Sequence, residues 1–487
     1  MDDVAGVKKG KWAFVQFFFV LCVVLCVLLY APRVLVFAPY GIDFFAPSST
    51  QETSCMSELG PHVAANAGDE GPILDNQVGS PCSSMRNNTI CCDRSDFNTD
   101  VCFMAGDVRT DAASLSLLLF PPQAPGRNAT AEERVQPYPR KWEKYIMRRI
   151  HEVRLRVAQA EESAEHRCDV RHDAPVLVMS AGGYTDNFFH AFNDGLLPSW
   201  LTVQHLRRRV VLGVLSYNPS WAGTFSEIIS GLSDYRVVDL INDKRTHCFT
   251  GAIVGTRFHG ILNVEPTRLR DNKTIFDFHQ FLADLYEMTE GHKPEKHQLV
   301  PHTRRPRLGI VSRKGTRVIE NQAAVAHLAS SIGFDVDILE TANGMPLSAV
   351  YASVRACDAL VGVHGADLTK FLFLRPGRAA LAQIVPLGLS PNARACFGVP
   401  SARMWLHYDK YDVRGHESSL SRKYGLDDVV VADPEKAKRD NGWDIVAVAR
   451  VYLRGQNVSL DLGRFREALA RLHSQALLLQ RQEIPKR

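Results

Sequence analysis

Residues 308–317 read LGIVSRKGTR, an apolar run that ends in a basic, glycine-containing loop. A second apolar run at 359–363, ALVGV, leads directly into His364-Gly-Ala-Asp367. Runs of this length predict buried strands, and the residues between them carry a helical pattern near 321–332. Strands that alternate with helices form a parallel sheet covered on both faces. This stretch therefore predicts an α/β unit with polar loops at the carboxyl ends of its strands.

The same alternation continues on both sides of this stretch. A polar, proline-broken segment at 291–306 separates two such units. Two strand–helix units predict two lobes that face each other across a cleft, and 487 residues are enough for both. An amphipathic pattern at 138–160 predicts a helix ahead of the first unit. The predicted strands are 175–180, 210–215, 236–240, 252–256, 308–312, 334–339, 359–363 and 379–385, and the predicted helices are 187–206, 220–232, 275–288, 321–332, 346–357 and 462–480.

The N-terminus carries a targeting signal. Residues 12–30 contain no charged side chain, and this is about enough helix to cross a ~30 Å hydrocarbon core. Three lysines lie within residues 1–11, so the positive-inside rule places that tail in the cytosol and the rest of the chain in the lumen. A cleaved signal peptide is the alternative, but the apolar run is longer than a usual signal-peptide core. Residues 31–81 are rich in Pro, Gly, Ser, Ala and Asp, which predicts a flexible stalk.

Cysteines and glycosylation sequons agree with a lumenal, oxidising location. Four Asn-x-Ser/Thr triplets follow the apolar run, and their asparagines are Asn87, Asn128, Asn272 and Asn457. Cysteines cluster just after the predicted stalk, and in an oxidising lumen we expect most of this cluster to be disulfide-bonded. Zinc binding is the alternative, but adjacent cysteines are poor zinc-ligand spacing and no paired histidine follows. The cluster comprises Cys82, Cys91, Cys92 and Cys102.

The second unit carries a candidate anion site. Ligands of open α/β sheets bind at the carboxyl ends of strands, where a glycine-containing turn into a helix exposes backbone N–H groups. Here those ends carry two groups of residues, and basic side chains among them would add charge-assisted hydrogen bonds to a phosphate. A solvated basic loop is the alternative reading of the first group taken alone. The candidate residues are Arg313, Lys314, Arg317, His364, Gly365 and Ala366.

The first unit carries a candidate general base. His190 and Asp194 are four residues apart on a predicted helix, so they share one face. Either side chain can take a proton from a hydroxyl group. The alternative is a surface His–Asp pair or a packing histidine. Arg257 and His259, in a polar turn after another strand, form a third candidate with the same ambiguity.

Several functional classes are disfavoured. Asp335-Val-Asp337 has the spacing of a metal-binding Asp-x-Asp, but it lies inside a predicted strand, so no metal ligands are assigned. Neither a Gly-x-Ser-x-Gly elbow nor a His-Glu-x-x-His helix is present, which argues against hydrolase and metalloprotease functions. The net charge is +4 and the basic residues are scattered rather than clustered, which argues against nucleic-acid binding.

Ordered blocks along the chain carry a family resemblance. They are Ile90-Cys-Cys-Asp-Arg-Ser, Asp100-Val-Cys-Phe-Met, Gly106-Asp-Val-Arg-Thr110, Tyr138-Pro-Arg-Lys-Trp142, Gly182-Gly-Tyr-Thr, Asn187-Phe-Phe-His-Ala-Phe-Asn-Asp194, Arg245-Thr-His-Cys-Phe249, Ile310-Val-Ser-Arg, Val361-Gly-Val-His-Gly-Ala-Asp, Leu374-Arg-Pro-Gly and Gln383-Ile-Val-Pro-Leu-Gly388. Each block is weak alone, but together they resemble glycosyltransferase family 61, in particular the grass xylan arabinosyl- and xylosyltransferases. The resemblance runs from Ile90 to the end of the lumenal domain.

The resemblance implies an inverting glycosyltransferase with two Rossmann-like lobes in the GT-B arrangement, anchored in the Golgi membrane as a single-pass type II protein. It implies a UDP-pentose donor and a xylan acceptor. The residues themselves predict no strict need for a divalent metal or other cofactor, because no credible Asp-x-Asp loop is present and Arg313, Lys314 and Arg317 can supply the charge. Two alternatives stay open: a β-1,2-xylosyltransferase acting on N-glycans, and an inactive Golgi scaffold of a polysaccharide synthase complex. A homo- or hetero-oligomer with other transferases also stays open.

Site residues carry over by motif position. His190 and Asp194 take the catalytic role, and Arg313, Arg317, His364, Gly365 and Gln383 take the donor side. Two positions depart from the family pattern, because Asp186 stands in place of a glycine and Ala191 in place of an acidic residue. The predicted domains are a tail at 1–11, a transmembrane anchor at 12–30, a stalk at 31–81, an acceptor-side lobe at 82–300, a nucleotide-sugar lobe at 301–400 and a C-terminal extension at 401–487.

Overall fold

The computed structural model describes residues 74–122, 132–287, 304–340 and 345–481. The predicted tail and anchor, most of the predicted stalk and interlobe linker, and the sequon at Asn128 lie outside these residues. None of the helices in the described part of the chain is long and apolar enough to cross a membrane.

Two β-sheets organise the described residues. The strands are β1 (Thr89–Asp93), β2 (Val101–Asp111), β3 (Ser116–Phe120), β4 (Glu133–Val135), β5 (Val153–Val157), β6 (Val170–Arg171), β7 (Val176–Ser180), β8 (Val211–Leu215), β9 (Val238–Asp239), β10 (His247–Val254), β11 (Arg307–Val311), β12 (Asp335–Leu339), β13 (Ala359–Val363), β14 (Ala380–Val385) and β15 (His407–Asp412).

Helices of several kinds connect these strands. The α-helices are Lys144–Met147, Phe188–His190, Leu197–Val203, Pro219–Thr224, Ser226–Leu232, Ile275–Glu287, Gln322–Ile332, Leu347–Arg355, Ser390–Ala393, Val399–Arg403, Leu420–Tyr424, Val429–Ala432, Pro434–Asp440, Ile445–Val448 and Leu462–Arg481. The 3₁₀ turns are Ala160–Ser163, Gln204–Leu206, Pro266–Arg268, Ala366–Phe373 and Gly415–Glu417, and the π-helical segments are Ala191–Leu196, Arg394–Gly398 and Ala449–Leu453.

The first sheet is mixed. Eight of its strands are hydrogen-bonded in the order β4-β5-β3-β2-β10-β7-β8-β9. In addition, β1 pairs with β2 and β6 pairs with β10. β10, β7, β8 and β9 are parallel, and β2 joins them antiparallel to β10. β7 and β8 are fully buried apolar strands, as expected for the middle of a sheet covered on both faces. The predicted Rossmann-like unit is thus the parallel part of a larger sheet.

The second sheet is entirely parallel, in the order β12-β11-β13-β14-β15. The chain leaves β11 toward β12 on one side and then crosses back to β13 on the other. A crevice forms at the carboxyl ends of strands where the winding direction reverses, and open α/β sheets bind ligands there. That point lies between the ends of β11 and β13. β15 and helix Leu462–Arg481, both within the predicted extension at 401–487, complete this sheet and cover it.

One apolar core joins the two sheets. Helix Ile275–Glu287 contributes Phe278 and Leu282 to it, and the second unit contributes Tyr351 and Phe373. The His279 Nε2–H donates to the carbonyl of Leu374 at 2.8 Å. The loops of the two sheets are therefore held at a fixed separation by packed side chains.

The predicted helix over 138–160 is wrong. Only Lys144–Met147 is α-helical, and β5 occupies Val153–Val157. Val153 and Leu155 are buried while Arg154 between them is exposed, which is the period of two that a strand requires. Pairing with β3 and β4 then satisfies the backbone of β5.

Disulfides confirm the expectation for the cysteine cluster. Cys82 is bonded to Cys91, and Cys92 is bonded to Cys102. This pairing is incompatible with the zinc alternative. A third disulfide, Cys168–Cys248, ties the segment before β6 to β10 and was not predicted. Among the described residues, Cys357 and Cys396 are free thiols.

Candidate active site

A cluster of cations occupies the switch point of the second sheet. Arg313 follows β11, and its guanidinium pairs with Asp367, which follows β13. The Arg313 side chain is only 9% exposed. Its Nε donates to the backbone carbonyl of Thr316 at 3.2 Å, which fixes the turn between β11 and the next helix. The geometry brings together the two loops that the sequence analysis proposed as one site.

Arg317 lies deeper in the same cluster. Its Nη1 donates to the carbonyl of His364 at 2.7 Å, and its Nε has no hydrogen-bond partner among the described residues. Burial and the neighbouring charge of Arg313 lower the pKa of Arg317 to about 10. A buried guanidinium with an unused N–H is an unsatisfied donor, so an acceptor placed beside it would be stabilising.

Gly365 allows the two arginines to approach the chain. Its φ is 148°, and a Cβ there would collide with Nη1 of Arg317 and lie 3.1 Å from Nη1 of Arg313. Ala366, the next residue, begins the 3₁₀ turn Ala366–Phe373. The backbone at this turn therefore lies directly against both guanidinium groups.

His364 is held as a neutral side chain. Burial, with the charges of Arg317 and Arg313, lowers its pKa to about 3. Its Nδ1 lies 2.8 Å from Nε2 of Gln383, whose Oε1 accepts from the Tyr408 hydroxyl at 2.6 Å. Because an amide nitrogen only donates, Nδ1 accepts and the ring proton is on Nε2. Gln383 thus sets the tautomer of His364.

Positive charge is in excess at this site. Lys370 is 3% exposed, lies 3.4 Å from Asp367, and has its pKa lowered by burial. Arg313 and Lys370 both pair with Asp367, whereas Arg317 binds only the carbonyl of His364, so the described part of the site has three cations and one carboxylate. Buried charge without a partner is costly, so the arrangement favours binding of an anion.

The first sheet provides a second polar cluster, centred on Asp194. Its carboxylate lies in the π-helical segment Ala191–Leu196, a type of segment that is frequent at functional sites. Pro198 follows and has no N–H, so the ordinary helical bond to the carbonyl of Asp194 is missing. The side chain of Asp194 is fully buried.

Four side chains donate to Asp194. Oδ2 accepts from the Tyr138 hydroxyl at 2.9 Å, from Nε of Arg140 at 2.8 Å and from Nδ1 of His190 at 2.7 Å. Oδ1 accepts from Nδ2 of Asn193 at 2.5 Å. Burial alone would raise the pKa of Asp194, but His190 and Arg140 outweigh it, and the pKa is lowered. Asp194 is therefore a carboxylate that cannot reach a substrate itself.

His190 is the solvent-facing member of the pair. Its side chain is 23% exposed, and its Nδ1–H points at Asp194. The other ring nitrogen, Nε2, has no partner among the described residues and is the acceptor in this tautomer. The arrangement is that of a buried carboxylate that orients a histidine for general-base catalysis. Of the two predicted catalytic residues, only His190 can meet a substrate directly.

The two clusters meet at Phe397. Its ring is 5.8 Å from that of Phe189, the neighbour of His190, and 5.3 Å from that of His364. Burial raises the pKa of the thiol of Cys396, the preceding residue, to about 11, and the charges of Arg140 and Asp194 also affect this pKa. The histidine of the first sheet and the cations of the second therefore line one region.

Other predicted site residues lie elsewhere. Arg257 is buried, pairs with Asp75 and with Asp93 (2.6 Å), and is not available to bind a donor. His259 is buried beside it, with its Nε2 against Gln77 and its Nδ1 accepting from the backbone of Glu265. Both residues are structural in this fold, and this corrects their assignment as donor-binding residues.

Further positions are placed as follows. Lys314 is exposed at the tip of the Arg313 loop. Asp337, on the edge strand β12, pairs with Arg307. Asp186 is exposed, whereas Ala191 is fully buried in the core. Of the described sequons, Asn272 is exposed while Asn87 and Asn457 are half-buried.

Sequence reasoning missed the partners of Asp194. Tyr138 and Arg140 belong to a block that was quoted for the resemblance without a role. Tyr184 also reaches the cluster, since its ring is 4.8 Å from that of His190 and its hydroxyl donates to Glu143 at 2.6 Å. The available signal was an arginine between the two aromatic residues of the block Tyr138-Pro-Arg-Lys-Trp142.

Comparisons with known proteins identify the family of this chain. The family model for glycosyltransferase 61 matches residues 188–381, which include His190, Asp194 and the cation cluster. The xylan glycosyltransferase MUCI21 of Arabidopsis thaliana is 35% identical over 84% of this chain and 84% of its own length. The β-1,2-xylosyltransferase XYXT1 of Oryza sativa subsp. japonica is 34% identical over 78% and 82%. The α-1,3-arabinosyltransferase XAT3 of the same species is 32% identical over 78% and 64%.

Proposed function

This chain belongs to glycosyltransferase family 61, and from that membership we propose that it transfers a pentose, arabinofuranose or xylose, from a UDP-sugar to xylan. The relatives named above act, by their names, on xylan or as xylosyl- and arabinosyltransferases. The observation that carries the proposal is the meeting of a cation cluster and a carboxylate-oriented histidine at Phe397.

The cation cluster takes the donor diphosphate. Arg313 and Arg317 lie at the switch point of the second sheet, against the glycine-containing turn at Gly365. When the sugar leaves, the nucleotide diphosphate gains negative charge, and fixed cations in a water-poor site stabilise that charge in the transition state. His364 and Gln383 hold the turn in place from behind.

His190 takes the proton of the acceptor hydroxyl. The acceptor oxygen forms a bond to the anomeric carbon while the bond from that carbon to the diphosphate oxygen breaks. The proton passes to Nε2 of His190, and the resulting positive charge is stabilised by the carboxylate of Asp194. A single displacement of this kind inverts the anomeric configuration. Two sheets that contribute facing sites support the GT-B arrangement.

No divalent metal is needed in this scheme. Arg313, Arg317 and Lys370 supply the charge that a metal ion supplies in other transferases. Turnover should therefore persist in EDTA. Complete loss of activity in EDTA that manganese restores would contradict this part of the proposal.

The protein resides in the Golgi membrane with its catalytic part in the lumen. The support is the uncharged run at 12–30, the lysines before it and the sequons after it. A C-terminal tag in sealed microsomes should resist protease until detergent is added, and an endoglycosidase should shift the band. Digestion of the tag without detergent would reverse the orientation.

UDP release tests the activity itself. The full-length protein is incubated with UDP-arabinofuranose or UDP-xylose, and with xylo-oligosaccharides or an N-glycan core as acceptor. Pentose-dependent release that needs xylo-oligosaccharide supports the proposal. Release with the N-glycan core alone would favour the N-glycan alternative. Absence of release with all donors, from folded protein, would favour a scaffold role.

A further inference from the structure

An aromatic strip leads away from His190, with a half-buried ring next to the histidine and two exposed rings farther out. It consists of Tyr184, Trp142 and Phe97. The Tyr184 ring is 4.8 Å from that of His190, and the Phe97 and Trp142 rings stack at 6.3 Å with an angle of 11° between their planes. Phe97 is 65% exposed and Trp142 is 46% exposed. Large aromatic side chains exposed together mark binding surfaces more often than single exposed residues do.

Arg140 connects this strip to the catalytic pair. Its guanidinium lies 5.5 Å from the centre of the Tyr184 ring and 6.0 Å from that of Trp142, while its Nε donates to Asp194. The strip is thus continuous with the place where the acceptor hydroxyl must lie. It is a neighbour of the active site and not an isolated apolar patch.

The two loops that carry the outer rings are braced. Phe97 lies in the loop between β1 and β2, and the disulfide Cys92–Cys102 closes the base of that loop. Nζ of Lys141 donates to Asp100 at 2.9 Å and to the carbonyl of Arg94 at 3.0 Å. A surface held this firmly before binding loses little entropy when a ligand arrives.

Charges around the strip are paired with each other. Arg94 and Lys141 both bind Asp100, at 2.9 Å each, and Arg268 binds Asp96 at 2.8 Å. The aromatic rings of the strip are therefore surrounded by ion pairs, and neither positive nor negative charge is in excess among these pairs. This chemistry suits an uncharged ligand with apolar ring faces and hydroxyl edges, and it gives no preference for an acidic or basic peptide.

We infer that the Tyr184–Trp142–Phe97 strip binds the xylan chain of the acceptor outside the reacting residue. The inference rests on the proposed function for the identity of the glycan. Each sugar ring has a face of C–H groups that packs on an aromatic ring, while its hydroxyl groups reach the charged rim. The strip then holds successive rings of the acceptor and aligns one hydroxyl with His190.

Acceptor length is the measurement that tests the strip. The full-length Trp142→Ala variant is compared with wild type on xylobiose and on xylohexaose. We expect KM for xylohexaose to rise roughly 3- to 10-fold, as for loss of one aromatic contact, while KM for xylobiose and affinity for UDP stay unchanged. Trp142→Phe keeps an aromatic ring, so its KM for xylohexaose should stay close to the wild-type value. Trp405→Ala, which removes a tryptophan that is 56% exposed outside the strip, is the matched control.

Binding without donor separates this inference from the proposed function. Affinity electrophoresis in soluble xylan needs no catalysis, so retardation that Trp142→Ala reduces and Trp405→Ala does not would support the strip even if transfer fails. Equal rises in KM for xylobiose and for xylohexaose would mean that Trp142 only positions Arg140. That result would overturn the inference. Unchanged xylan affinity together with loss of self-association in Trp142→Ala would identify a protein interface instead.

Discussion

The two polar clusters that meet at Phe397 handle charge in opposite ways. Around Asp194, the carboxylate accepts from four donors, on Tyr138, Arg140, His190 and Asn193. In the second sheet, two of the three cations pair with a single carboxylate, and an N–H of the third, Arg317, has no partner among the described residues.

This difference matches the roles proposed for the two clusters. The donors around Asp194 hold the carboxylate and His190 in a fixed geometry before the substrate arrives, as an oriented base requires. A cluster with surplus charge is completed by its ligand, so its binding energy depends on that ligand being an anion. Substitutions in the first cluster should therefore affect turnover, and substitutions in the second should affect affinity for the nucleotide.

The largest effect is expected at His190. His190→Ala should lower kcat by roughly 10²- to 10⁴-fold, because a general base contributes about that much, while affinity for UDP stays near wild type. Turnover should be measured beside UDP affinity, and added imidazole should restore part of the activity. His151→Ala changes an exposed histidine and serves as the control.

Asp194→Asn sharpens the same test. It leaves Arg140 without its buried partner, so its thermal unfolding must be compared with wild type before its kinetics are interpreted. Normal turnover by folded His190→Ala would place the base elsewhere and remove the proposed contrast between the clusters.

A smaller effect is expected in the cation cluster. Arg313→Ala should weaken UDP binding by about 1.5–3 kcal/mol, roughly 10- to 150-fold, because one charge-assisted hydrogen bond is lost. Lys314→Ala, at an exposed position in the same loop, should weaken it less. Calorimetric titration with UDP gives both values.

Gly365→Ala separates geometry from charge at the same site. The added Cβ collides with Arg317 and strains a backbone with φ of 148°, while no charge is removed. UDP binding should fall although every arginine remains. If Arg313→Ala and Lys314→Ala weakened UDP binding equally, or if Gly365→Ala left UDP binding unchanged, the cluster would not be the diphosphate site.

Local patterns in the sequence were sufficient for part of this site. Strand ends that carry Arg313 and His364 follow from short apolar runs, and the spacing of His190 and Asp194 follows from helix geometry. Both patterns depend on residues close in the chain, where periodicity has direct meaning. The parallel order of the second sheet then brings the two loops together.

Long-range pairing could not be predicted in the same way. Arg140 reaches Asp194 across 54 residues, and Arg257 reaches Asp75 across 182, and no local period encodes such contacts. The role expected of Arg257 was wrong for this reason. The antiparallel strands of the first sheet were missed likewise, because their stability comes from pairing partners rather than from propensity.

The last effect is on folding stability and concerns the interface that holds the clusters at a fixed separation. His279 is buried there, and burial with the charge of Arg355 lowers its pKa to about 4, against an ordinary value near 6.5. At a pH between these two pKa values, His279 is therefore protonated in the unfolded chain but not in the folded chain. Stability that is full above pH ~6.5 should fall as the pH drops toward 4, by up to about 1.4 kcal/mol per pH unit from this residue.

His279→Gln tests this linkage, because glutamine can still donate to the carbonyl of Leu374 but does not titrate. Urea unfolding from pH 7 to pH 5 should give a shallower loss of stability for this variant than for wild type. The measurement is the slope, since the substitution also changes stability at pH 7. His327→Gln, at an exposed position, should keep the wild-type slope. If the wild-type and His279→Gln curves run parallel, His279 takes up a proton without unfolding, and the contact between the two sheets is looser than its hydrogen bond indicates.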